Sequence, residues 1–144
     1  MRILLATDGS PHALRAATFL ERLARQAGEV ELIVVNVGYI PAAAYSGLSP
    51  AVAVDLAGLE DDLELAGQKI LETTVRELGA IDARVTKEYR CGDPASETLS
   101  VAAAKNVDLI VMGCRGLTPL AGLILGSVSE RVLHRAHVPV LIVR

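Results

Sequence analysis

Five short aliphatic runs, separated by longer stretches of helical periodicity, constrain this chain more than any other feature. The runs are Arg2–Thr7, Glu31–Val37, Arg84–Tyr89, Val107–Met112 and Val138–Val143. A strand covered on both faces reads as a near-continuous series of Val, Ile and Leu, so the runs predict a parallel sheet with helices on both sides. Between the first two, Ala13, Leu14, Ala17, Leu20 and Ala24 mark one helical stripe, and Gly28 stops it. Ser10-Pro11 suits the start of that helix, with serine as cap and proline where no amide hydrogen is missed. Asp93-Pro94 repeats the device before a third helix, Ala95 to about Asn106. A longer second helix is predicted over about Asp55–Leu78, with Leu56, Leu59, Leu63, Ala66 and Ile70 on one face and Gly79 at its end. The last helix begins near Gly126-Ser127, where Ser127 and Glu130 have capping-box spacing, and ends before Pro139. His134 and His137 lie near its C-terminus, where positive charge is favourable.

Composition sharpens this reading. Of 144 residues, 51% are hydrophobic but only 3% aromatic, so the apolar content is Ala, Val, Leu and Ile. One domain, residues 1–144, is expected, since a chain this long buries roughly 68–70% of its unfolded surface. The net charge of −3 argues against nucleic-acid partners, which require a basic face. The longest weakly polar stretch, Leu117–Val128, is well short of the roughly 20 residues that cross a bilayer, and the N-terminal apolar run is too short for a signal peptide. A cytoplasmic location without membrane attachment is therefore expected. Cys91 and Cys114 fit neither a disulfide framework nor a zinc cluster and read as ordinary thiols. The one linker-like stretch, Gly38–Ala53, is expected to be a mobile lid or variable loop.

The element order β-α-β-α-β-α-β-α-β favours a doubly wound open sheet, whose ligands sit beyond the carboxyl ends of the strands. That rule singles out Thr7-Asp8-Gly9, Val37-Gly38 and Met112-Gly113. The segment from Gly113 to Ser127 is the most informative. Gly113 and Gly116 follow a buried strand, and Gly126-Ser127 opens a helix nine residues later. Phosphates need such an environment: glycines that admit the backbone, free amides at a helix N-terminus, and hydroxyl donors. Ser127, Val128 and Ser129 would offer amides, Ser127 and Ser129 hydroxyls, and Arg115 a fork of donors. Taken singly, each glycine is also a turn residue, Ser127 a cap, and Arg115 a solvated loop charge. The complete spacing favours the phosphate site.

The pattern Gly113-x₂-Gly116-x₉-Gly126-Ser127 resembles the nucleotide-binding signature of the universal stress protein family. ILLATDGS at Ile3–Ser10, Val34–Val37, Gly92-Asp93-Pro94, Val107–Gly113 and Val138–Val143 resemble other parts of the family pattern. Asn36 stands where many members have His, Ala6 where some have Pro, and Cys114 where Ser is common. The resemblance implies a five-stranded α/β sheet of strand order 3-2-1-4-5 that binds ATP with Mg or Mn. Ala6, Asp8 and Val37 would surround the nucleoside beside Met112, with the Val37 backbone on the adenine edge and the Asp8 carboxylate on sugar or base. Gly113 and Gly116 would hold the first phosphates, and Ser127, Val128 and Ser129 the distal ones, with Gly126 also in the site. Asp8 has an alternative role as helix cap, which Ser10 fits better. The resemblance also implies a homodimer through the edge strand Val138–Val143, which otherwise would need shielding.

No phosphate loop of the GxxxxGK[ST] type is present, nor any base–nucleophile set. Three functions remain open, of which the first two bind ATP: a nucleotide-dependent regulatory protein with an unidentified protein partner, or a slow ATP hydrolase using Asp8 and a metal. A dimeric interaction module without nucleotide is the third.

Overall fold

The computed structural model describes residues 1–41, 50–117 and 125–144, with the backbone alone for residues 50–57. Its elements follow the predicted order: β1 (Arg2–Ala6), α1 (Pro11–Ala27), β2 (Val30–Gly38), α2 (Pro50–Glu77), β3 (Ala83–Cys91), α3 (Pro94–Ala104), β4 (Leu109–Gly113), α4 (Ser127–Arg135) and β5 (Val140–Val143). The five strands are all parallel and lie in the order β3-β2-β1-β4-β5, as the resemblance implied. Both faces of the sheet are covered. Ile3, Leu5, Leu32 and Val34 pack on one side against Ala16, Ala17 and Leu20 of α1, Leu71 of α2 and Leu78 just beyond its end. Leu4, Ile33, Val35 and Ile110 pack on the other against Ala95, Val101 and Ala102 of α3 and Val132 of α4. This two-sided burial is why the central strands are unbroken aliphatic runs.

Local signals behave as their chemistry dictates at α1 and α3. Ser10 Oγ accepts from the Ala13 N–H at 3.3 Å and Asp93 Oδ2 from the Ser96 N–H at 2.9 Å, each with proline at the first helical turn. The capping box expected at α4 is not formed. Gly126 takes the cap position with extended backbone, which makes Ser127 the first helical residue and leaves its hydroxyl without a cap bond. His134 lies in the last turn of α4, where Nδ1 and the Glu130 carbonyl are 2.8 Å apart.

α2 differs from expectation in extent and face. It begins at Pro50, so the tail of the expected Gly38–Ala53 loop is helical, while residues 42–49 lie outside those described. Its buried face is Gly67, Leu71 and Thr74, continued by Leu78 just past the helix end, one residue round from the expected stripe. Leu59 is 43% exposed and Ala66 is exposed, Leu63 and Ile70 are half-buried, and the Leu56 side chain lies outside those described. Contact with the sheet is made through a glycine, because a Cβ at Gly67 would collide with the Tyr89 ring and come within 2.7 Å of Asn36 Oδ1. A hydrophobic stripe cannot report a contact made by the absence of a side chain.

Candidate functional site

At the carboxyl ends of β1, β2 and β4, on the α3/α4 side of the sheet, a cavity of about 570 Å³ opens among the described residues. Ala6, Val37 and Met112 form its floor at the strand ends. Asp8 enters from the β1–α1 turn, and Gly113, Arg115 and Gly116 from the segment after β4. Gly126, Ser127, Val128 and Ser129 supply the N-terminus of α4. All eleven residues singled out in the sequence thus line one cavity. Thr7, Val35, Tyr39, Pro94, Thr98, Leu117 and Leu125 complete the lining. Among these, Pro94 and Thr98 belong to α3, which carries no nucleotide signature, so only tertiary packing reveals them. Residues 118–124 of the expected loop lie outside those described.

Helix α4 is seated against the sheet by two bonds. The Gly126 N–H donates to the Cys114 carbonyl at 2.7 Å, and Ser129 Oγ donates to the Gly113 carbonyl at 2.9 Å. The Ser129 hydroxyl is therefore engaged with the strand rather than free for a ligand. The first intrahelical amide bond runs from Glu130 to the Gly126 carbonyl at 2.9 Å. The amides of Ser127, Val128 and Ser129 precede it and are available at the positive end of the helix.

Asp8 ties the two sides of the cavity together. Oδ1 accepts from the Ser10 N–H and Oδ2 from the Leu117 N–H, both at 3.0 Å. Gly116 is required here, since a Cβ would come within 2.6 Å of Asp8 Oδ2. Gly113 serves packing as much as the cavity: a Cβ there would come within 2.6 Å of the His12 carbonyl carbon and 2.7 Å of the Ala13 nitrogen, at the first turn of α1. Nearby, Arg115 Nε is buried without a hydrogen-bond partner. An unpaired guanidinium nitrogen is costly, and Arg115 lines the same cavity as the three free amides, an arrangement that fits an anionic group.

The backbone of β2 contributes a second polar edge. Thr7 N–H bonds to the Val35 carbonyl on the β1 side, and Gly92 N–H to the Gly38 carbonyl on the β3 side. Backbone groups alternate sides along a strand, so the N–H and C=O of Val37 face β1, whose last paired residue is Ala6. They emerge at the cavity beyond the end of that strand.

Among the described residues, no group of three or more His, Cys, Asp or Glu side chains could hold a metal ion, and no helix is long and apolar enough to cross a membrane. Cys91 is exposed and Cys114 buried, and both are free. Partial desolvation, then the Glu60 and Glu97 carboxylates, push the Cys91 thiol up, which disfavours a reactive thiolate.

An open doubly wound sheet that brings a helix N-terminus and free strand-end backbone to one cavity is an arrangement able to accept a phosphate-bearing ligand. The profile of the universal stress protein family matches residues 1–144, and the chain belongs to that family. It is 34% identical to universal stress protein YxiE of Bacillus subtilis over 99% of this chain and 98% of that protein. It is 33% identical to universal stress protein MJ0531 of Methanocaldococcus jannaschii over 99% and 81%, respectively. Among solved structures, the hypothetical protein MJ0577 superposes with a TM-score of 0.85 at 27% identity, over 99% of this chain and 94% of that one. A universal stress protein in complex with cAMP superposes with a TM-score of 0.69 at 26% identity, over 100% and 96%.

Proposed function

We propose that the cavity binds ATP and that the protein is a nucleotide-dependent regulatory protein acting in the stress response as a cytoplasmic homodimer. The observation that carries this reading is the convergence of the three free α4 amides and the buried, unpartnered Arg115 Nε on the cavity that also receives the Val37 backbone. The amides of Ser127, Val128 and Ser129 and the Arg115 guanidinium take the phosphates, with the backbone of Gly113, Gly116 and Gly126 close beside them. Val37 takes the base edge above Ala6 and Met112. Asp8 has lone pairs remaining on both oxygens and accepts from the ribose. A cyclic nucleotide in a related structure supports the nucleotide class.

Binding without efficient hydrolysis is favoured over catalysis. Asp8 is the only acidic side chain among the described lining residues, and both of its oxygens already hold backbone N–H groups. A divalent Mg or Mn ion would thus be held chiefly by the phosphates. Exposed Tyr39 and Leu117 at the cavity rim offer a surface through which an unidentified protein partner reads occupancy. The dimer is supported by β5, a sheet-edge strand whose four residues are all only half-buried.

Calorimetric titration with ATP and magnesium tests the reading: saturable heat is expected, and no heat at millimolar nucleotide would overturn it. Single-turnover phosphate release, compared with Asp8→Ala, tests the hydrolase alternative. Rapid release that depends on Asp8 would replace the regulatory reading.

A further inference from the structure

We infer that Asn36, a side chain on the face of the sheet opposite the cavity, is a positioning residue for base recognition because it keeps the Val37 N–H unpaired. The inference rests on the ATP-binding reading and deepens it. If the β1–β2 register ran one step further, Thr7 would pair with Asn36 through two bonds. The first, from Thr7 N–H to the Val35 carbonyl, is present at 2.9 Å. The second would run from Val37 N–H to the Thr7 carbonyl. It is not made, and β1 ends at Ala6.

Asn36 Nδ2 instead donates to the Thr7 carbonyl at 2.8 Å. The next rung, from Gly9 N–H to the Val37 carbonyl, is likewise replaced: Gly9 turns away with φ of 75° and donates to Thr7 Oγ1 at 3.2 Å. Two side chains thus occupy the groups that would have consumed both polar atoms of the Val37 backbone. Neither side chain is free to drift. Asn36 is 5% exposed and packs over Gly67, and Thr7 Oγ1 is 2.9 Å from Thr74 Oγ1 in the same buried layer. Adenine presents an acceptor at N1 and a donor at its 6-amino group, the complement of a free N–H and C=O.

Removing the Asn36 amide should let the Val37 N–H close onto the Thr7 carbonyl, since a buried carbonyl seeks a donor. Base recognition then weakens at N1 alone. The probes are ATP and 1-deaza-ATP, which lacks the N1 acceptor, titrated into wild type, Asn36→Leu and Tyr89→Phe. Wild type should prefer ATP on the order of tenfold, the worth of one hydrogen bond. Asn36→Leu should bring the ratio close to one, whereas Tyr89→Phe, altered in the same layer but away from Thr7, should keep it. An undiminished ratio in Asn36→Leu overturns the inference. Failure of wild type to bind ATP overturns the underlying reading instead.

Amide exchange in wild type decides the matter if Asn36→Leu does not fold. Without ligand, Val37 N–H should exchange faster than the ladder-bonded Val35 N–H, and ATP should protect it. Equal protection of both amides without ligand would refute the role of Asn36.

Discussion

Arg131 on α4 donates to both carboxylate oxygens of Asp93, the N-cap residue of α3, at 2.7 Å each. One carboxylate therefore caps one helix and pins another, joining the two helices that contribute to the cavity wall. The Arg131 guanidinium bonded to Asp93 holds its carboxyl well below the usual carboxylate range, assisted by Ser96 and opposed by partial desolvation.

A lowered folded value stabilises the protein above the unfolded carboxylate value of about 3.9, and the contribution is lost as pH falls through the folded value. Asp93→Asn keeps a capping side chain and removes the charge. Its stability deficit, measured by urea denaturation, should be constant from pH 7 to about 5 and shrink on further acidification. Asp93→Ala also loses the cap and should cost about 1 kcal/mol more at neutral pH. A deficit in Asp93→Asn that grew toward acid pH would contradict the arrangement.

Gly113→Ala tests the packing role of the first glycine. Its Cβ would meet the backbone of His12 and Ala13, which cannot turn aside as a side chain can. The variant should lose about 1–3 kcal/mol of stability, read as a lowered denaturant midpoint with an unchanged slope.

Gly126→Val should separate binding from folding. A Cβ at Gly126 lies 3.3 Å from Arg115 Cα and 3.6 Å from the Gly116 nitrogen, tight but not overlapping, and its φ of −75° suits any residue. The valine methyls then crowd the backbone approach to the phosphates. The fold should persist with a melting temperature lowered by about 4 °C per kcal/mol lost, since valine is a poorer N-cap than glycine, while calorimetry shows ATP affinity abolished. Wild-type affinity would remove Gly126 from the site.

The edge strand yields a test of assembly. Ile110 N–H donates to the Pro139 carbonyl and Cys114 N–H to the Val143 carbonyl, so odd-numbered residues of this segment bond β4. The N–H and C=O of Val140 and Ile142 therefore point outward. Sedimentation at micromolar concentration should show a dimer for wild type and a monomer for Ile142→Pro, which removes an outward donor without taking a rung from β4. A wild-type monomer would exclude this assembly.

Element order and the caps at Ser10 and Asp93 were legible because each depends on local pattern: aliphatic runs, helical spacing, and Ser-Pro or Asp-Pro pairs. The strand order 3-2-1-4-5 was implied by the family resemblance, since no local pattern fixes which strands become neighbours. The cavity residues were legible because the glycine spacing and strand ends follow the chain. What escaped depends on pairs distant in sequence. Gly67 presents α2 to Tyr89 and Asn36, so the buried face of that helix is set by where bulk is missing. Gly126 displaces Ser127 from the cap because the Gly126 N–H is tied back to Cys114. Pro94 and Thr98 reach the cavity only through the packing of α3, and Asn36 carries no motif.

The alternation of side chains along β2 sets Val37, on the cavity floor, back to back with Asn36, one peptide layer apart. On the role inferred for Asn36, a mutant library confined to residues a ligand can touch would omit a determinant of its affinity. Efforts to retune the base preference must also sample the sealed side of the sheet, and drift there between relatives would change ligand choice while every exposed cavity residue stayed the same.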